Sequence, residues 1–244
     1  MFTEQEERKY KLIILGDENT GKSSIIKRLI DNKYNSFYWP TLGMDFQTFK
    51  ISEEDEFLDE NQIIYYTIYD LSGQKKFNTL IPLYSNEIDI ILLTYDITNI
   101  DSFHNIDNWI YLLNNINEEK VIIGLIGNKS DLEENRRVDK EEAQKYANEK
   151  NFFFQEVSAL TGDGIKELFY NKLVEQIQKK FIQKEKYLNQ IEEKFGINND
   201  DDIIPISIEN EDISNKKIRE SNQMQGNEEK NKNGLCKCVD CFIF

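Results

Sequence analysis

The sequence predicts an α/β protein of the doubly wound type, with a six-stranded, mostly parallel sheet, five helices and a disordered C-terminal tail. Apolar runs of strand length alternate with stretches of helical periodicity. Runs such as DIILLTYD and VIIGLIGN are apolar on both faces, as in central parallel strands that are covered by helices. In such a sheet a ligand binds at the carboxyl ends of the strands, so we expect the functional site there.

Each element follows from a run of this kind. Strands are predicted at residues 10–15, 43–52, 62–70, 89–95, 121–127 and 152–157. Helices are predicted at residues 21–33, 74–86, 101–117, 138–149 and from 164 onward. The second and third strands follow each other without a helix between them, so they should form an antiparallel hairpin. Their acidic connection, residues 53–60, is interpreted as a solvated loop rather than a cation site.

Composition excludes several classes of function. The 244-residue chain carries 45 acidic and 30 basic side chains, and this net charge of −15 argues against a nucleic-acid binder. The single histidine, His104, argues against a histidine metal site or a histidine-based triad. No stretch reaches the roughly 20 apolar residues of a membrane span, and no secretory signal begins the sequence. We therefore expect a cytosolic protein.

The stretch GDENTGKS, residues 16–23, has the spacing of a phosphate-binding loop between a strand and a helix. Backbone N–H groups in such a loop turn toward phosphate oxygens, and the positive end of the following helix faces the same anion. Lys22 would reach the β- and γ-phosphates, and the Ser23 hydroxyl would bind Mg²⁺. The pattern predicts a site for a nucleoside diphosphate or triphosphate. Four neighbours are expected to line it: Asn19, Thr20, Gly21 and Ser24.

Two further stretches would serve the metal and the γ-phosphate. In YDLSGQ, at the end of the third predicted strand, Asp70 can hold Mg²⁺, the Gly73 N–H can reach the γ-phosphate and Gln74 can orient an attacking water. In YWPTLGMDF, before the second strand, the Thr41 hydroxyl and carbonyl can complete the Mg²⁺ coordination. Taken alone, each motif also fits an ordinary loop. With Lys22, the residues Gln74 and Thr41 are the predicted catalytic groups.

Two stretches at the ends of the last two predicted strands would recognise the base. In GNKSD, Asp131 can accept hydrogen bonds from the N1–H and 2-amino groups of guanine, which adenine lacks in that arrangement. Two side chains of this motif would brace the base and the phosphate loop: Asn128 and Lys129. The triplet Ser158, Ala159 and Leu160 follows the sixth strand, and its last two backbone N–H groups would contact guanine O6. Together with the phosphate loop, these stretches predict guanine rather than adenine nucleotides.

In this order and spacing, GDENTGKS, PTLGMDF, DLSGQ, GNKSD and VSAL resemble the small GTPases of the Ras superfamily. LGMDF at 42–46 and YDITNIDSF at 95–103 resemble the Rab branch, and LIPLY at 80–84 resembles its Golgi-associated subgroup. The resemblance covers residues 8–180 and implies a GTPase domain that binds GTP or GDP with Mg²⁺. It implies a slow GTPase that acts as a switch in vesicle traffic. The implied partners are an exchange factor, a GTPase-activating protein, effectors and a prenyl escort or GDI-type chaperone, but no nucleic acid.

The resemblance also assigns roles to aromatic residues. It makes Tyr34 the ring against the guanine and Tyr38 the lid near the γ-phosphate. It makes Phe46, Tyr69 and Tyr84 a surface triad that contacts effectors. For these three residues, ordinary packing on a sheet is the alternative, because aromatic side chains on strands usually serve the core.

The sequence departs from the family pattern at the phosphate loop and in the second switch. Glu18 stands where the family has a small residue, and its carboxylate would obstruct an incoming arginine finger. Leu71, Ser72 and Lys75 alter the stretch around Gln74, which itself matches the family. Hydrolysis therefore remains chemically possible. Two alternatives stay open: a non-hydrolysing module that remains bound to GTP and recruits effectors, and a scaffold that uses its long last helix.

The C-terminal part of the chain predicts a membrane anchor. The periodicity of the last helix extends it over residues 181–196, and the polar stretch 197–244 predicts a disordered tail. Cys241 is fourth from the end in a C-a-a-X pattern with a terminal Phe, which favours a geranylgeranyl chain. One chain anchors weakly, so Cys236 and Cys238 are predicted to carry further lipid. Such a protein would sit on the cytoplasmic face of Golgi or endosomal membranes and cycle with the cytosol.

Overall fold

The computed structural model describes residues 6–36, 40–52, 62–84, 87–113 and 120–195. Its six strands form one sheet in the order β2-β3-β1-β4-β5-β6, so the predicted doubly wound α/β class is confirmed. The strands are β1 Glu6–Leu15, β2 Met44–Ile51, β3 Gln62–Leu71, β4 Ile90–Asp96, β5 Ile122–Asn128 and β6 Phe153–Glu156.

One strand pair is antiparallel, as the missing helix between the second and third strands predicted. β2 runs against β3, and the pairs β1–β3, β1–β4, β4–β5 and β5–β6 are parallel. The prediction that β1 begins at residue 10 was wrong, because its ladder with β3 starts at Glu6 opposite Gln62. Backbone pairing extends the strand through polar residues that the hydrophobic pattern does not mark.

The helices pack on both faces of the sheet. They are α1 Lys22–Asp31, α2 Ile81–Tyr84, α3 Ile100–His104, α4 Ile106–Leu112, α5 Lys140–Glu149 and α6 Leu173–Phe195. Two 3₁₀ turns cover Lys75–Leu80 and Ser130–Asn135, and a π-helical segment, Glu167–Lys172, leads into α6. No helix in these described stretches is both long enough and apolar enough to cross a bilayer.

Three helix predictions need correction. The single helix predicted at 74–86 is a 3₁₀ turn followed by the short α2, because Gln74 is extended and caps no N–H group. Of the helix predicted at 101–117, residues 114–117 lie outside the described residues, and the rest is divided into α3 and α4 at Asn105, whose side chain donates to Asp17. The turn Ser130–Asn135 was not predicted. It follows Lys129, whose left-handed φ of 69° redirects the chain after β5.

The apolar core lies in two layers, one on each face of the sheet. Alternate residues of β1 supply both layers: Leu12 contributes to one and Ile13 to the other. The first layer is closed by α1 and by the helical stretch after β6, where Phe169 is fully buried. The second is closed by α3, α4 and α5, and the buried Trp109 belongs to it. β4 and β5 are buried along their whole length, as their apolar runs predicted.

Some predictions fall outside the described residues or stay untested. α6 continues to Phe195, and its side chains over 181–190 are exposed. The acidic connection 53–60, the tail 197–244 and its three cysteines lie outside the part of the chain that the structure describes. The domain limits at 180 and 196 stay predictions.

Candidate nucleotide site

A cleft of about 340 Å³ lies at the carboxyl ends of the strands, where the sheet topology placed the expected site. Its walls bring together residues from every predicted motif. Fourteen of the predicted site residues line it: Asn19, Gly21, Lys22, Ser23, Ser24, Tyr34, Thr41, Gly73, Gln74, Asn128, Lys129, Asp131, Ala159 and Leu160. Two others, Asp70 and Ser158, are buried just behind the wall and contact lining residues.

The phosphate-binding loop connects β1 to α1 and requires glycine at both ends. Gly16 has a φ of +144°, and a Cβ there would lie 2.0 Å from the carbonyl oxygen of Thr94. Gly21 has a φ of +90°, and a Cβ there would lie 2.1 Å from Nδ2 of Asn128. Side chains at these positions would therefore be strained and would also collide with β4 or with the base-binding motif.

Lys22, the first residue of α1, is held inside the loop. Its Nζ donates to the carbonyl oxygens of Gly16 at 2.7 Å and of Asp17 at 2.8 Å. Burial lowers the pKa of Lys22 to about 8, although the negative charges of Asp70, Asp17 and Glu18 oppose this shift. A bound phosphate would supply the negative charge that favours the protonated amine. The position and environment of Lys22 therefore suit an anion.

Three oxygen-bearing side chains converge at the start of α1. The Ser23 hydroxyl donates to Oδ2 of Asp70 and lies 2.9 Å from Oγ1 of Thr41. The other carboxylate oxygen, Asp70 Oδ1, is buried without a hydrogen-bond partner among the described residues. Burial also raises the pKa of Asp70, although Ser23 and Lys22 oppose that shift. Hydroxyl and carboxylate oxygens are ligands that Mg²⁺ accepts, so the unpaired oxygen and its neighbours fit this ion.

The loop after β3 packs directly on the phosphate loop. A Cβ on Gly73 would lie 2.3 Å from the backbone N of Glu18 and 2.5 Å from the carbonyl C of Asp17. The next residue, Gln74, has a buried Oε1 with no partner in the described part of the chain. Its backbone N–H donates to Oγ of the buried Ser72 at 3.3 Å. Gln74 therefore lines the cleft and carries an amide oxygen that has no protein partner among the described residues.

Asn128 joins the phosphate loop to the base-binding side. It is 1% exposed, its Nδ2 donates to the carbonyl oxygen of Thr20 at 2.7 Å, and its Oδ1 accepts from the N–H of Ala159 at 3.1 Å. A guanine O6 would therefore have to share the Ala159 N–H with Asn128. Thr20 was predicted to line the site, but its side chain is buried and donates to the carbonyl oxygen of Asp17. That hydrogen bond lies within the phosphate-binding loop, and the predicted contact of Thr20 with the nucleotide stays a prediction.

The base-binding side also contains two oriented charged groups. The Ser158 hydroxyl donates to Oδ1 of Asp131, which leaves Oδ2 of that carboxylate as the second acceptor. Lys129 adopts left-handed backbone geometry, and its Nζ lies 2.5 Å from Oδ2 of Asp96 at the end of β4. These contacts hold an acceptor and a lysine stem at the same end of the cleft.

The aromatic predictions divide into three cases. Tyr34 is 42% exposed and lines the cleft beside the base-binding motifs. Tyr38 lies outside the described residues. Phe46 is 61% exposed and lies opposite Tyr69 in the β2–β3 ladder, while the rings of Tyr69 and Tyr84 are 6.2 Å apart. The structure thus brings the three triad residues together, with Tyr69 and Tyr84 also packed on the core.

Sequence reasoning missed a carboxylate that fastens the phosphate loop. Asp17 Oδ2 accepts from Nδ2 of Asn105 at 2.7 Å, and Asp17 Oδ1 accepts from Nε1 of Trp109 at 2.8 Å. It also missed Asp96, the partner of Lys129. Asp96 ends a buried strand at the carboxyl edge of the sheet, and that position was the available signal. Asp17 could have been noticed because an acidic residue is unexpected inside a loop that binds anions, which indicates that its carboxylate has a structural partner.

In a comparison with protein families, the family model described as the Ras family matches residues 11–179 of the chain. The match runs from within β1 into α6 and contains every residue named above as lining the cleft.

Proposed function

The chain belongs to the Ras family, and from that membership we propose that it is a Rab-type, GTP-hydrolysing switch in vesicle traffic. Proteins of this family are generally GTPases that bind GTP or GDP with Mg²⁺ and work with exchange factors, activating proteins and effectors. One observation carries the choice of nucleotide for this chain. Asp131 is oriented by Ser158 in the same cleft that holds the buried Lys22.

The guanine preference follows from the hydrogen bonds of Asp131. With one carboxylate oxygen engaged by Ser158, the other is available to the N1–H and 2-amino donors of guanine. Adenine would leave this acceptor unpaired. A site that accepts a hydrogen bond from a substrate discriminates against an analogue without that donor group by a factor of about 10⁴–10⁵. Titration of purified protein with GTP and ATP tests this, and equal affinities would refute the guanine assignment.

Hydrolysis would rest on groups that are already gathered around the phosphate loop. When bound, Mg²⁺ supplies positive charge that neutralises the phosphates, and Ser23, Thr41 and Asp70 would hold it. The Lys22 ammonium stabilises negative charge on the β- and γ-phosphate oxygens. Gln74 Oε1, which lacks a protein partner in the described residues, orients the attacking water by accepting a hydrogen bond from it.

Switching would use the two loops that carry Thr41 and Gly73. The N–H of Ser72 donates to the carbonyl oxygen of Gly43 at 2.9 Å, so the loops are already linked to each other. GTP would order both through its γ-phosphate, and hydrolysis would release both. Effectors would then read the surface around Phe46, Tyr69 and Tyr84.

A second candidate is a non-hydrolysing module that stays bound to GTP and recruits effectors. Its support is Glu18, an exposed carboxylate in the cleft wall next to the peptide on which Gly73 packs. Its negative charge repels the phosphate groups of the nucleotide, and its carboxylate and bulk would divert or block the phosphate-stabilising arginine of an activating protein. Single-turnover hydrolysis of GTP, with and without Mg²⁺, separates the candidates: a measurable Mg²⁺-dependent rate supports the switch, and no turnover supports the module.

The membrane part of the proposal rests on Cys241, Cys236 and Cys238. A lipid on Cys241, with a second on either neighbour, would anchor the protein to the cytoplasmic face of Golgi or endosomal membranes. An escort or GDI-type chaperone would shield the lipid in the cytosol. Cys241→Ser should move the protein from the membrane fraction to the cytosol, and Cys236→Ser/Cys238→Ser should weaken its retention. An unmodified intact mass of protein from its own cells would rule out the anchor.

A further inference from the structure

Arg28 connects the helix of the phosphate site to the loop of the base site. From α1, its Nε donates to the carbonyl oxygen of Ala159 at 2.9 Å, and its Nη2 donates to the carbonyl oxygen of Leu160. These are two successive carbonyl groups of the loop that follows β6. One guanidinium thus binds both in the forked geometry that arginine favours.

The first of these bonds determines where a neighbouring N–H points. The Ala159 carbonyl and the Leu160 N–H belong to the same peptide unit, and the described peptide bonds are trans. In a planar trans peptide the C=O and N–H groups point in opposite directions. Because Arg28 holds the carbonyl on its own side, the Leu160 N–H is turned to the opposite side. Ala159 and Leu160 both line the nucleotide cleft.

The second bond leads to the carboxylate that selects the base. Arg28 holds the Leu160 carbonyl, and the N–H of the same peptide unit, that of Thr161, donates to Oγ of Ser158 at 3.1 Å. The Ser158 hydroxyl then donates its own hydrogen to Asp131. Ser158 is fully buried, so water does not compete for these bonds. A continuous path therefore runs from Arg28 to Asp131.

The place of Arg28 in the chain links the two halves of the site. It lies six positions after Lys22 on α1, so at 1.5 Å per residue it stands about 9 Å further along the same helix. Because a helix keeps this distance constant, α1 holds Lys22 at the phosphate site and Arg28 at the base-binding loop at a fixed separation.

We propose that Arg28 is a positioning residue for guanine specificity: it aims the Leu160 N–H at guanine O6 and keeps Asp131 in place. This inference rests on the proposed guanine-nucleotide function. The alternative is that Arg28 only stabilises the end of α1, since its Nη1 also donates to the carbonyl oxygen of Asn32 at 3.0 Å. The two roles differ in how the affinity depends on the atom at position 6 of the purine.

The experiment measures dissociation constants for GDP, 6-thio-GDP and ADP with full-length protein. The sulfur of 6-thio-GDP keeps the N1–H and 2-amino donors but accepts hydrogen bonds weakly. Arg28→Met keeps the apolar stem and removes the donors, so the preference for GDP over 6-thio-GDP should fall by about 2- to 12-fold, the contribution of one net hydrogen bond. As a control, Leu29→Ala loosens the packing of α1 in the core and removes none of the hydrogen bonds between α1 and the base-binding loop. It should weaken both nucleotides equally.

The outcomes are distinct. An unchanged ratio of GDP to 6-thio-GDP affinity in Arg28→Met overturns the proposal, whether or not overall affinity falls. If that variant does not fold, Arg28→Lys, which keeps one donor, should give a smaller fall in the same ratio, and an unchanged ratio there overturns the proposal equally. Equal affinity of the unmodified protein for GDP and ADP would contradict the guanine function itself, independently of Arg28.

Discussion

Replacing Gly21 with alanine should separate nucleotide binding from folding. The new Cβ would lie 2.1 Å from Nδ2 of Asn128. The Asn128 side chain must then move and lose two hydrogen bonds, from its Nδ2 to the Thr20 carbonyl and from the Ala159 N–H to its Oδ1. Two hydrogen bonds of about 0.5–1.5 kcal/mol each would be lost between the phosphate loop and the base-binding loop. The affinity for GDP should therefore fall by about 5- to 150-fold. The left-handed φ of +90° adds strain of about 1–2 kcal/mol.

Gly162→Ala is the matched control. Gly162 also has a left-handed φ, +94°, but its added Cβ would meet only the Arg28 side chain, at an ordinary 3.5 Å. Both variants should lose about 1–2 kcal/mol of unfolding free energy from backbone strain. Only Gly21→Ala should lose most of its affinity, measured by displacement of a fluorescent GDP analogue. If Gly21→Ala binds GDP as tightly as the control does, Asn128 does not organise the site in the way its contacts indicate.

Further predictions concern the phosphate-binding loop and the residues that contact it. Gln74→Leu should slow single-turnover hydrolysis of GTP, and an unchanged rate would exclude a mechanism in which Gln74 orients the attacking water. Glu18→Gly should raise turnover in the presence of an activating protein. Trp109→Phe keeps an aromatic ring but removes the indole N–H that donates to Asp17 Oδ1, so urea unfolding should show a loss of about 1–3 kcal/mol of unfolding free energy. Chelating Mg²⁺ should accelerate nucleotide release from the unmodified protein. The Asp70→Asn variant should release nucleotide rapidly with or without Mg²⁺. If chelation accelerates release from that variant as much as from the unmodified protein, Asp70 does not bind the metal.

The fold was predictable where local pattern and tertiary burial agree. β4 and β5 are buried along their whole length and are apolar apart from Thr94 and their polar last residues, so their runs indicate central strands without further information. The break at Asn105 was not predictable, because its side chain bonds to Asp17, 88 residues away in sequence. The start of β1 was missed for a similar reason: pairing with β3, not apolar side chains, determines it.

In the site, too, local motifs were predictable and contacts between residues far apart in sequence were not. The phosphate loop was evident because its geometry is local: glycine spacing, a preceding strand and a following helix occur within one short stretch. Asn128 and Asp131 could be read from a motif whose chemistry matches one base. The role of Arg28 was invisible, because a basic residue on a helix normally faces solvent and its partner carbonyl is 131 residues away. Motifs reveal the groups that touch a ligand more readily than the groups that position them.

The most direct test of the guanine-nucleotide account is to measure the affinity of Asp131→Asn for GDP and for xanthosine diphosphate. Xanthine has a carbonyl where guanine has its 2-amino group, so an amide at position 131 can donate where the carboxylate accepted. The account predicts that the unmodified protein prefers GDP and that the variant prefers xanthosine diphosphate. A variant that loses GDP without gaining xanthosine diphosphate, or that keeps its preference for GDP, would contradict the assignment of Asp131 as the base-selecting residue.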